Sequence, residues 1–593
     1  MHFNRREFLQ MMGAVGAAGI VGGCSNGRQV ARSPEQLYDL PKFGNATFMH
    51  MTDSHAQLNP IYFREPSINL GIGEAKGRPP HIVGSNFLKY YGIASGGAEE
   101  HAFTYLNFVE AAEEYGKVGG YAHLRTLVKK IRAERGEDNT LLLDGGDTWQ
   151  GSGTAYWTRG KDMVDAINLL GVDVMTGHWE FTYRDEEVLE HVRNFNGDFV
   201  AQNVFASMDA IFDGAEVHDE QSGRVFKPYT MKDMGGKRVA VIGQAFPYTP
   251  IANPQRFIPD WSFGIREREM QQLVNRIRET ENPDAVVVIS HNGADVDIKM
   301  GQQVTGIDVI FGGHTHDAMY RPHVVDNPGG QTIVSNAGSN GKFLAVMDLD
   351  IGDRGVRDFR YNLVPIFSNF IEPDQEMAAY IADVRAPYLD RLNEELAVPD
   401  EVLYRRGNFN GTFDQVICDA QREVGDAQIS LSPGFRWGTS VLPGQPITME
   451  HVMDQTGLTY PETYVEEMTG EQIKNVLEDV ADNLFHEDPY RQQGGDMVRV
   501  GGLDYTIDPR ATIGKRISEL TLDNGDKLEA SKKYKVAGWA TVNQPSPGEP
   551  IWDVVATYLR DRDTVTIDKL NTPKLKNVKN DPGVENYRGE ILS

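Results

Sequence analysis

The sequence is poor in cysteine, in positive charge and in long apolar runs, and each shortage excludes a class of protein. Two of the 593 residues are cysteines, so a disulfide framework is excluded. Lys and Arg number 58 against 85 Asp and Glu, and the resulting net charge of −27 argues against binding to nucleic acid. No apolar run reaches the roughly 20 residues that a transmembrane helix needs. The remaining composition, 40% hydrophobic and 24% charged, is that of a globular protein large enough for a deep cleft.

The N-terminus carries the pattern of an export signal. Arg5 and Arg6 precede an apolar stretch, 11–23, that is too short to span a bilayer. Paired arginines before a short, weakly apolar segment predict a twin-arginine signal over residues 1–24 and a periplasmic location. Cys24 follows a Val-Gly-Gly sequence that resembles a lipoprotein cleavage box, so lipid anchoring at Cys24 is an alternative to ordinary cleavage. Cys418 then has no partner, and we expect it to be a small buried apolar residue without a functional role.

The chain divides into two unequal parts. Short apolar runs alternate with helical patterns over residues 45–363, which indicates an α/β domain. A helical segment over 364–398 is predicted to link this domain to a second one, 399–593, that mixes helices and strands. Residues 62–119 interrupt the first domain with many loop signals and interleaved aromatic residues. Because interleaved aromatics argue against disorder, we expect this insertion to form a wall or lid near the functional site.

Five apolar runs of the first domain end in residues that bind metals. Ligands collect beyond the carboxyl ends of strands in open α/β sheets, so these side chains are expected to meet in one crevice. A single histidine is most often a structural residue, but a series of this kind at successive strand ends is far more specific. Seven ligands exceed one tetrahedral site, and a bridging carboxylate serves two ions about 3.5–4 Å apart. The candidates are Asp53, His55, Asp147, His178, His291, His314 and His316.

This donor set predicts metal-assisted hydrolysis of a phosphate-like or sulfate-like centre. Imidazole and carboxylate donors without a thiolate suit zinc, manganese or iron. Two cations lower the pKa of a shared water and neutralise a developing oxyanion.

The motifs D-x-H, G-D-x-x-Q-G, S-H-N-G and G-G-H-T-H, together with Pro-Gly-Phe-Arg at 433–436, resemble those of the calcineurin-like metallophosphoesterases in their 5′-nucleotidase branch. The resemblance implies a four-layer αββα domain followed by a 5′-nucleotidase-type C-terminal α+β domain that binds substrate. It implies that Asp53, His55, Asp147 and His316 hold one metal. The other metal would take Asp147, His178, His291 and His314, with Asp147 bridging. His101 and His123 match no motif and are expected to be structural.

One element departs from the nucleotidase pattern. Nucleotidases carry G-N-H-E-F-D, whose His–Asp pair assists the leaving group, whereas this chain has Trp179 and Thr182 at those places. Tryptophan cannot transfer a proton at neutral pH. An alkoxide leaving group benefits from a general acid, but a sulfur leaving group is far less basic, since a thiol has a pKa of about 8.5. The substitution therefore favours cleavage of an S–S bond over a P–O bond.

The runs G-H-W-E-F-T-Y, Y-F-R-E-P-S at 62–67 and P-G-F-R-W-G at 433–438 resemble the SoxB family of thiosulfohydrolases. The resemblance implies a periplasmic dimanganese enzyme whose bridging hydroxide attacks the terminal sulfonate of a cysteine S-thiosulfonate on the carrier protein SoxYZ. Sulfate would be released and a carrier persulfide left. Arg436 is expected to neutralise the sulfonate oxygens, Trp179 to shape the pocket and Tyr460 to line a peptide channel.

Two other readings remain open at this point. A periplasmic 5′-nucleotidase or related phosphoesterase would use the same metals, and a catalytically silent binding protein would use the cleft to capture an anion or a partner. The complete ligand series speaks against the silent protein. We expect a monomer that binds no nucleic acid and has no transmembrane helix.

Overall fold

Two mixed β-sheets form the centre of the first half of the chain. The computed structural model describes residues 32–353 and 355–593, so the predicted export segment with Arg5, Arg6 and Cys24 lies outside the described residues. The strands of this half are β1 (Ala46–Met51), β2 (Thr140–Asp144), β3 (Val174–Met175), β4 (Asp198–Phe199), β5 (Phe205–Ala206), β6 (Tyr229–Met234), β7 (Lys237–Gln244), β8 (Trp261–Ser262), β9 (Ala285–Ser290), β10 (Val309–Gly312), β11 (His323–Asn327), β12 (Gly330–Asn336), β13 (Phe343–Gly352) and β14 (Gly355–Pro365).

The inner strands of both sheets are mostly parallel and rich in apolar residues, because both of their faces are covered. The first sheet has the order β14-β13-β1-β2-β3-β4, with β1 to β4 parallel and β13 antiparallel to β1. The second has the order β11-β12-β10-β9-β7-β6, with parallel inner strands and antiparallel edges. Every residue of β1 and of β9 is buried.

The two sheets pack face to face and are covered by helices on their outer sides. Phe48 and Leu143 of the first sheet share one core with Val241, Val287 and Phe311 of the second. On the outer face of the first sheet lie the helices Tyr121–Arg135 and Lys161–Leu170, and on that of the second lie Glu267–Thr280 and Ala294–Gln303. The four-layer αββα prediction is therefore confirmed. Further helices of this half are Pro34–Leu37, Gly153–Thr158, Asp185–Asn194, Met208–Phe212 and Thr249–Ala252.

The insertion at 62–119 contains three short helices, Gly84–Tyr91, Ala98–Phe103 and Phe108–Tyr115, joined by irregular segments. Its aromatic residues pack against the first sheet, where Phe103 stacks on Phe343 with ring centroids 4.9 Å apart. A buried ion pair adds to this attachment, with Glu65 Oε1 2.8 Å from Lys342 Nζ. The insertion is thus built into the first half of the molecule.

The segment between the two halves packs on the first one. Helix Gln375–Arg385 begins at Asp374, whose carboxylate accepts the backbone N–H of Met377 at 3.0 Å, and helix Leu389–Leu392 follows it. Met377 and Ile381 of the first of these helices join the core beneath Tyr121–Arg135.

The second half is an α+β structure built around two cores. Its strands are β15 (Glu395–Pro399), β16 (Ile429–Ser432), β17 (Ile447–Thr448), β18 (Thr463–Thr469), β19 (Arg499–Gly501), β20 (Leu503–Ile507), β21 (Ile517–Leu522), β22 (Lys533–Trp539), β23 (Thr564–Val565), β24 (Lys574–Lys576) and β25 (Ile591–Leu592). They form sheets of order β17-β15-β23, β18-β22-β16-β19 and β21-β20-β24-β25. Helices Thr412–Val424, Met449–Thr456 and Ile551–Arg560 pack around one core, and Gly470–Phe485 packs on the other.

Cys418 lies fully buried in helix Thr412–Val424. Burial raises the pKa of its thiol, which keeps the group protonated and apolar. Within the described part of the chain, no helix has the length and apolar character to cross a membrane.

Candidate metal centre

The seven predicted ligands lie at the carboxyl ends of five parallel strands. Asp53 and His55 follow β1, Asp147 follows β2 and His178 follows β3, all in the first sheet. The second sheet supplies the others, with His291 after β9 and the pair His314 and His316 after β10. The candidate site therefore lies where the edges of the two sheets meet.

The side chains gather into two groups that share Asp147. Donor atoms within each group lie within 4.8 Å of one another, one group being Asp53, His55, Asp147 and His316, the other Asp147, His178, His291 and His314. The Nε2 atom of His291 is 3.0 Å from Asp147 Oδ2, and Nε2 of His316 is 3.2 Å from Asp53 Oδ1. The structure thus brings together all seven residues of the predicted set, in the two groups that the family resemblance implied.

The donor chemistry of these groups fits two divalent cations. The Nε2 atoms of His55 and His316 approach each other to 3.1 Å, and Nε2 of His178 and of His314 has no hydrogen-bond partner within the described ranges. The Nδ1 atom of His291 donates to the Gly145 carbonyl at 2.6 Å, which leaves its Nε2 directed at the two carboxylates. Imidazole nitrogens that converge on buried carboxylates are the donor set of a dinuclear site.

The charges in the site are strongly coupled. Burial raises the pKa of Asp53 to about 6, against the opposing effect of His291. Burial also disfavours protonation of His291, but the carboxylates of Asp147 and Asp53 outweigh it and raise its pKa to about 10. For Asp147 the neighbouring imidazoles of His178 and His291 overcome burial and hold its pKa well below the usual range. A divalent cation could replace the proton that these carboxylates hold on His291.

The loops that carry the ligands have a strained backbone. Five of the seven ligand residues adopt left-handed φ angles, namely Asp53 (52°), His55 (46°), Asp147 (59°), His314 (72°) and His316 (58°). Such conformations cost of order 1–3 kcal/mol each and concentrate at functional sites, where the surroundings enforce them.

Glu180 organises two of these loops from behind. Its buried carboxylate accepts backbone N–H groups from Thr148 at 2.7 Å, Asp147 at 3.1 Å and Trp149 at 3.2 Å. It also accepts the N–H of His178 at 2.7 Å. Sequence reasoning gave no role to Glu180, although its place two residues after a ligand histidine was a signal for one.

A cleft opens directly onto both ligand groups. The cavity measures about 150 Å³ and is bounded on one side by His55, Asp147, His178, His314 and His316. Aromatic and aliphatic side chains form most of its remaining wall, among them Trp179, Phe246, Tyr248, Ile251, Phe435 and Trp437. A charged group can thus reach the ligands while an apolar stem contacts the wall.

Trp179 is part of this wall and lies beside the bridging carboxylate. Its backbone N–H donates to Asp147 Oδ1 at 2.8 Å, and its indole meets the rings of Phe435 and Trp437 edge to face. Thr182 hydrogen-bonds to Thr459 of the second half. The two positions that carry the His–Asp pair in nucleotidases are therefore used for packing and for contact between the halves.

Arg436 reaches the cleft from the second half. Its Nη2 donates to the Gly495 carbonyl at 2.6 Å and its Nη1 to the His314 carbonyl at 3.3 Å. Nε lies 3.6 Å from Asp496. These contacts fix a guanidinium next to the ligand group that contains His314.

Tyr460 is placed differently from the expectation. It is 2% exposed, its hydroxyl donates to the Ala252 carbonyl, and its ring stacks on Trp179 with centroids 6.4 Å apart. Because Tyr460 belongs to the core of the second half, it supports Trp179 from behind and does not line the cleft.

The two unassigned histidines lie outside both ligand groups. His101 packs among Phe108, Tyr115 and Phe367, and His123 donates from Nδ1 to the Ile371 carbonyl at 2.6 Å. Both have the structural environments that were expected of them.

The loop 492–495 of the second half packs directly against the candidate ligand His314. Gly494 has a φ of +78°, and a Cβ added there would lie 1.8 Å from Nε2 of His314. A side chain at this position would therefore collide with a metal ligand. The paired glycines 494 and 495 indicated a turn in the sequence, but they did not indicate what the turn approaches.

Comparison with known proteins places this geometry in a family. The family model for "Calcineurin-like phosphoesterase" matches residues 46–318, and that for "5′-nucleotidase, C-terminal domain" matches 398–545. The solved structure of the sulfate thiohydrolase SoxB from Thermus thermophilus superposes with a TM-score of 0.84 and 36% sequence identity, over 91% of this chain and 98% of that one. The chain belongs to the SoxB family.

Other relatives of this SoxB-family chain are nucleotidases. A 5′-nucleotidase precursor, also from Thermus thermophilus, shares the fold, with a TM-score of 0.70 and 20% identity over 90% of this chain and 99% of that one. The rat 5′-nucleotidase is 28% identical over 71% of this chain and 76% of its own length. The trifunctional nucleotide phosphoesterase YfkN of Bacillus subtilis is 27% identical over 82% of this chain, which spans 35% of YfkN. The chain is thus an enzyme of the metallophosphoesterase and 5′-nucleotidase superfamily.

Proposed function

We propose that this SoxB-family chain is a periplasmic thiosulfohydrolase, which cleaves the terminal S–S bond of a thiosulfonate attached to a cysteine of a carrier protein. The observation that carries the proposal is a complete Asp/His ligand set in a cleft whose described residues include no free proton donor. The similarity to the Thermus thermophilus enzyme supports it.

Without a proton donor among the described residues of the cleft wall, the leaving group must depart as an anion. Apart from the ligands, the titratable residues of the cleft wall are Tyr248 and Arg436. Burial raises the pKa of Tyr248, and its hydroxyl already donates to the Tyr490 carbonyl. A guanidinium does not release its proton at physiological pH. An alkoxide would therefore leave without help, whereas a persulfide can leave as an anion.

The residues of the cleft have separate roles in this reaction. Two metal ions held by the seven ligands would supply an activated water and neutralise oxyanion charge. The Arg436 guanidinium holds the sulfonate oxygens, and the wall of Trp179, Phe435 and Trp437 accepts the apolar stem of the cysteine adduct. The water oxygen becomes the fourth oxygen of sulfate. The S–S bond breaks, and its electron pair leaves with the carrier persulfide.

The partner and the metal in this proposal follow the SoxB family. We take the carrier to be SoxYZ and the metal to be manganese, although zinc and iron also suit imidazole and carboxylate donors. The twin-arginine pattern in residues 1–24 agrees with a periplasmic location.

Sulfate release from thiosulfate-loaded SoxYZ by the manganese-loaded protein tests the proposal, with nucleotide hydrolysis measured in parallel. We expect sulfate without phosphate, and loss of activity by at least roughly a hundredfold in Asp147→Ala, which removes the bridging carboxylate. Asp426→Ala is the matched control, because this carboxylate is 99% exposed. Hydrolysis of nucleotides alone would establish the phosphoesterase alternative, and metal binding without either turnover would indicate a binding protein.

A further inference from the structure

A second cavity lies beside the metal cleft, and apart from His314 and Arg436 its lining has no part in the ligand set or in the proposed reaction. We call it the side cavity. It shares His314, Arg436 and Gly494 with the cleft, so the two spaces meet at one ligand group. Its own wall includes Asn69, His81, Asn292, Asp295, Arg406 and Asn408. Asn69 and His81 come from the insertion at 62–119, which thus contributes to a wall close to the site.

The two cavities differ in chemistry. The cleft is walled mostly by aromatic and aliphatic side chains, whereas the side cavity combines amide, imidazole, guanidinium and carboxylate groups with a smaller number of aliphatic side chains. An apolar stem would favour the cleft, and a small hydrophilic anion would favour the side cavity.

Arg406 is the key residue of the side cavity. It is 7% exposed, its Nε has no hydrogen-bond partner among the described residues, and its Nη2 donates to the carbonyls of Thr315 and His316, each at 3.2 Å. The carboxylates of Asp317 and Asp496 interact electrostatically with the Arg406 guanidinium, but no carboxylate in the described ranges lies close enough to form an ion pair with it. A buried guanidinium in that state favours a bound anion.

The carboxylates of the side cavity already have partners. Asp295 lies 3.0 Å from His81 Nε2, and Asp317 accepts a hydrogen bond from Asn69 at 3.0 Å. Asp496 lies 3.6 Å from Arg436 and 3.2 Å from Arg499. Asp496 is thus balanced by two guanidinium groups and Asp295 faces an imidazole, whereas Asp317 has a neutral amide as its partner and keeps its charge. The preference of the cavity for an anion therefore rests on Arg406, which forms no ion pair among the described residues.

A helix N-terminus adds to this electrostatic preference. The first residues of helix Ala294–Gln303 line the side cavity, and its N-cap residue Gly293 supplies no side-chain cap. The N–H of Ala294 already donates to Thr315 Oγ1 at 3.2 Å, and Asp295 and Asp297 lie in the first turn. What this terminus adds is therefore the positive end of the helix dipole.

We propose that the side cavity is a second oxyanion site, anchored by Arg406, through which the tetrahedral sulfate product leaves the metal centre. The carrier adduct then occupies the aromatic cleft while sulfate departs on the other side of Arg436. The assignment to the product rests on the proposed function, but sulfate binding in the side cavity does not.

Equilibrium dialysis of labelled sulfate against the manganese-loaded protein tests the site itself. We expect a second class of sulfate site, in addition to binding at the metals, that Arg406→Gln weakens by roughly tenfold or more. Metal content is measured in every variant, because Arg406 contacts the backbone of His316. A single class of site in wild type, or a second class that persists unchanged in a fully metallated Arg406→Gln protein, would overturn the proposal.

A second variant keeps the test valid if Arg406→Gln loses metal. Gln492→Glu adds a carboxylate to the side cavity at a residue outside both ligand groups, and it should weaken the second sulfate site. Metal content and thermal unfolding are measured for this variant too, because it removes the hydrogen bond that the Gln492 amide donates to the His486 carbonyl at 2.8 Å. Gln302→Glu is its control, since Gln302 is exposed on helix Ala294–Gln303 and does not line the side cavity. Equal sulfate affinity at the second site in wild type, Gln492→Glu and Gln302→Glu would refute the proposed site without any use of an Arg406 variant.

Turnover kinetics distinguish sulfate binding in the side cavity from release of the product sulfate through it. If sulfate leaves through the side cavity, Gln492→Glu should slow steady-state sulfate release from the carrier adduct but leave the first-turnover rate unchanged. If the protein binds sulfate there but never releases it from a carrier adduct, the oxyanion site stands and the proposed function fails. If binding is as expected and release is unaffected in both phases, the site takes sulfate from solution, and the exit route is wrong.

Discussion

Two buried carboxylates that belong to neither ligand group set the geometry of the metal centre. Glu180 accepts four backbone N–H groups from the loops that carry Asp147 and His178. Asp144 accepts the N–H of Gly146 at 3.0 Å and the hydroxyl of Thr148 at 2.8 Å, and so fixes the same turn from its other side. Asp147, which both ligand groups share, is therefore positioned by two carboxylates that lie outside these groups.

Asp144 should make stability depend on pH. Burial raises its pKa to about 8 in the folded protein, from 3.8 when unfolded, against the opposing effect of Thr148. Between these values the folded state holds a proton that the unfolded state has lost. Stability contributed by Asp144 is therefore complete below pH 4 and declines as pH rises toward 8, by at most about 1.4 kcal/mol per pH unit.

Urea unfolding of wild type and Asp144→Asn at pH 5 to 9 measures this effect. The stability of wild type relative to the variant should fall up to about pH 8 and then stay constant. Asp426→Asn, at an exposed position, should give a difference that does not vary with pH. The same flat difference for Asp144→Asn would contradict the assignment.

Gly494 allows a direct test of how closely the second half approaches the ligands. Gly494→Ala would place a Cβ 1.8 Å from Nε2 of His314, so we expect loss of metal from that ligand group and of most activity. Gly514→Ala is a matched control, because Gly514 has a similar φ of +85° and nothing within 4 Å. Both variants should lose about 1 kcal/mol of stability from backbone strain, but only Gly494→Ala should lose metal in elemental analysis. Full metal occupancy in Gly494→Ala would refute the contact.

At the scale of elements, the insertion is held to the first sheet by a charge pair inside the protein. Lys342, the residue before β13, is 1% exposed, and its Nζ lies 2.8 Å from Glu65 Oε1. Its Nζ also donates to the Phe63 carbonyl at 3.4 Å. The insertion therefore supplies the only carboxylate in the described ranges that forms an ion pair with this buried lysine.

Glu65→Gln should consequently be costly. It leaves a buried ammonium without its counter-charge, and the expected loss is about 3–5 kcal/mol. Glu467→Gln breaks the exposed pair with Lys533, whose side chains are 67% and 63% exposed, and should cost less than about 1 kcal/mol. Thermal unfolding of the two variants measures how much stability each ion pair contributes. Equal, small losses of stability would show that the Glu65–Lys342 pair does not stabilise the attachment of the insertion.

The elements that could be predicted from sequence are those whose residues carry a local pattern. Apolar runs gave the parallel strands, and the ligands follow them directly, so Asp53, His178 and His314 could be located without a structure. Tyr460 could not, because its orientation depends on the core of the second half. Arg406 and Arg405 are adjacent in sequence, yet Arg405 is paired with Asp414, whereas Arg406 forms no ion pair in the described ranges. Only tertiary packing distinguishes the two.

At the scale of the whole molecule, the site depends on both sheets and both halves. Four ligands follow strands of the first sheet and three follow strands of the second. Arg436 and the Gly494 loop come from the second half, which is joined to the first by contacts such as Gln57 Nε2 to Asp454 Oδ1 at 3.3 Å. Bound metal should therefore stabilise the global fold.

Metal titration followed by thermal unfolding should show this linkage. Each site adds about 2.7 kcal/mol when free metal is 100 times its dissociation constant, so chelated protein should unfold at a clearly lower temperature. Manganese should restore the transition in wild type but only weakly in Asp147→Ala, which has lost the shared ligand. A transition that is insensitive to metal in wild type would show that the ligand groups do not hold metal in the folded state.

The division of the ligands between the two sheets has a consequence for how the protein is assembled. His55 and His316 are 261 positions apart in the chain, and no disulfide spans that distance in the described residues. A pair of ions clamped between them would act as a removable crosslink that closes a very long loop. In a chain whose two sheets have packed wrongly, neither ligand group would be complete, because each group takes ligands from both sheets. Correctly folded molecules would then retain metal and be stabilised by it, whereas misassembled ones would bind metal weakly and unfold more easily.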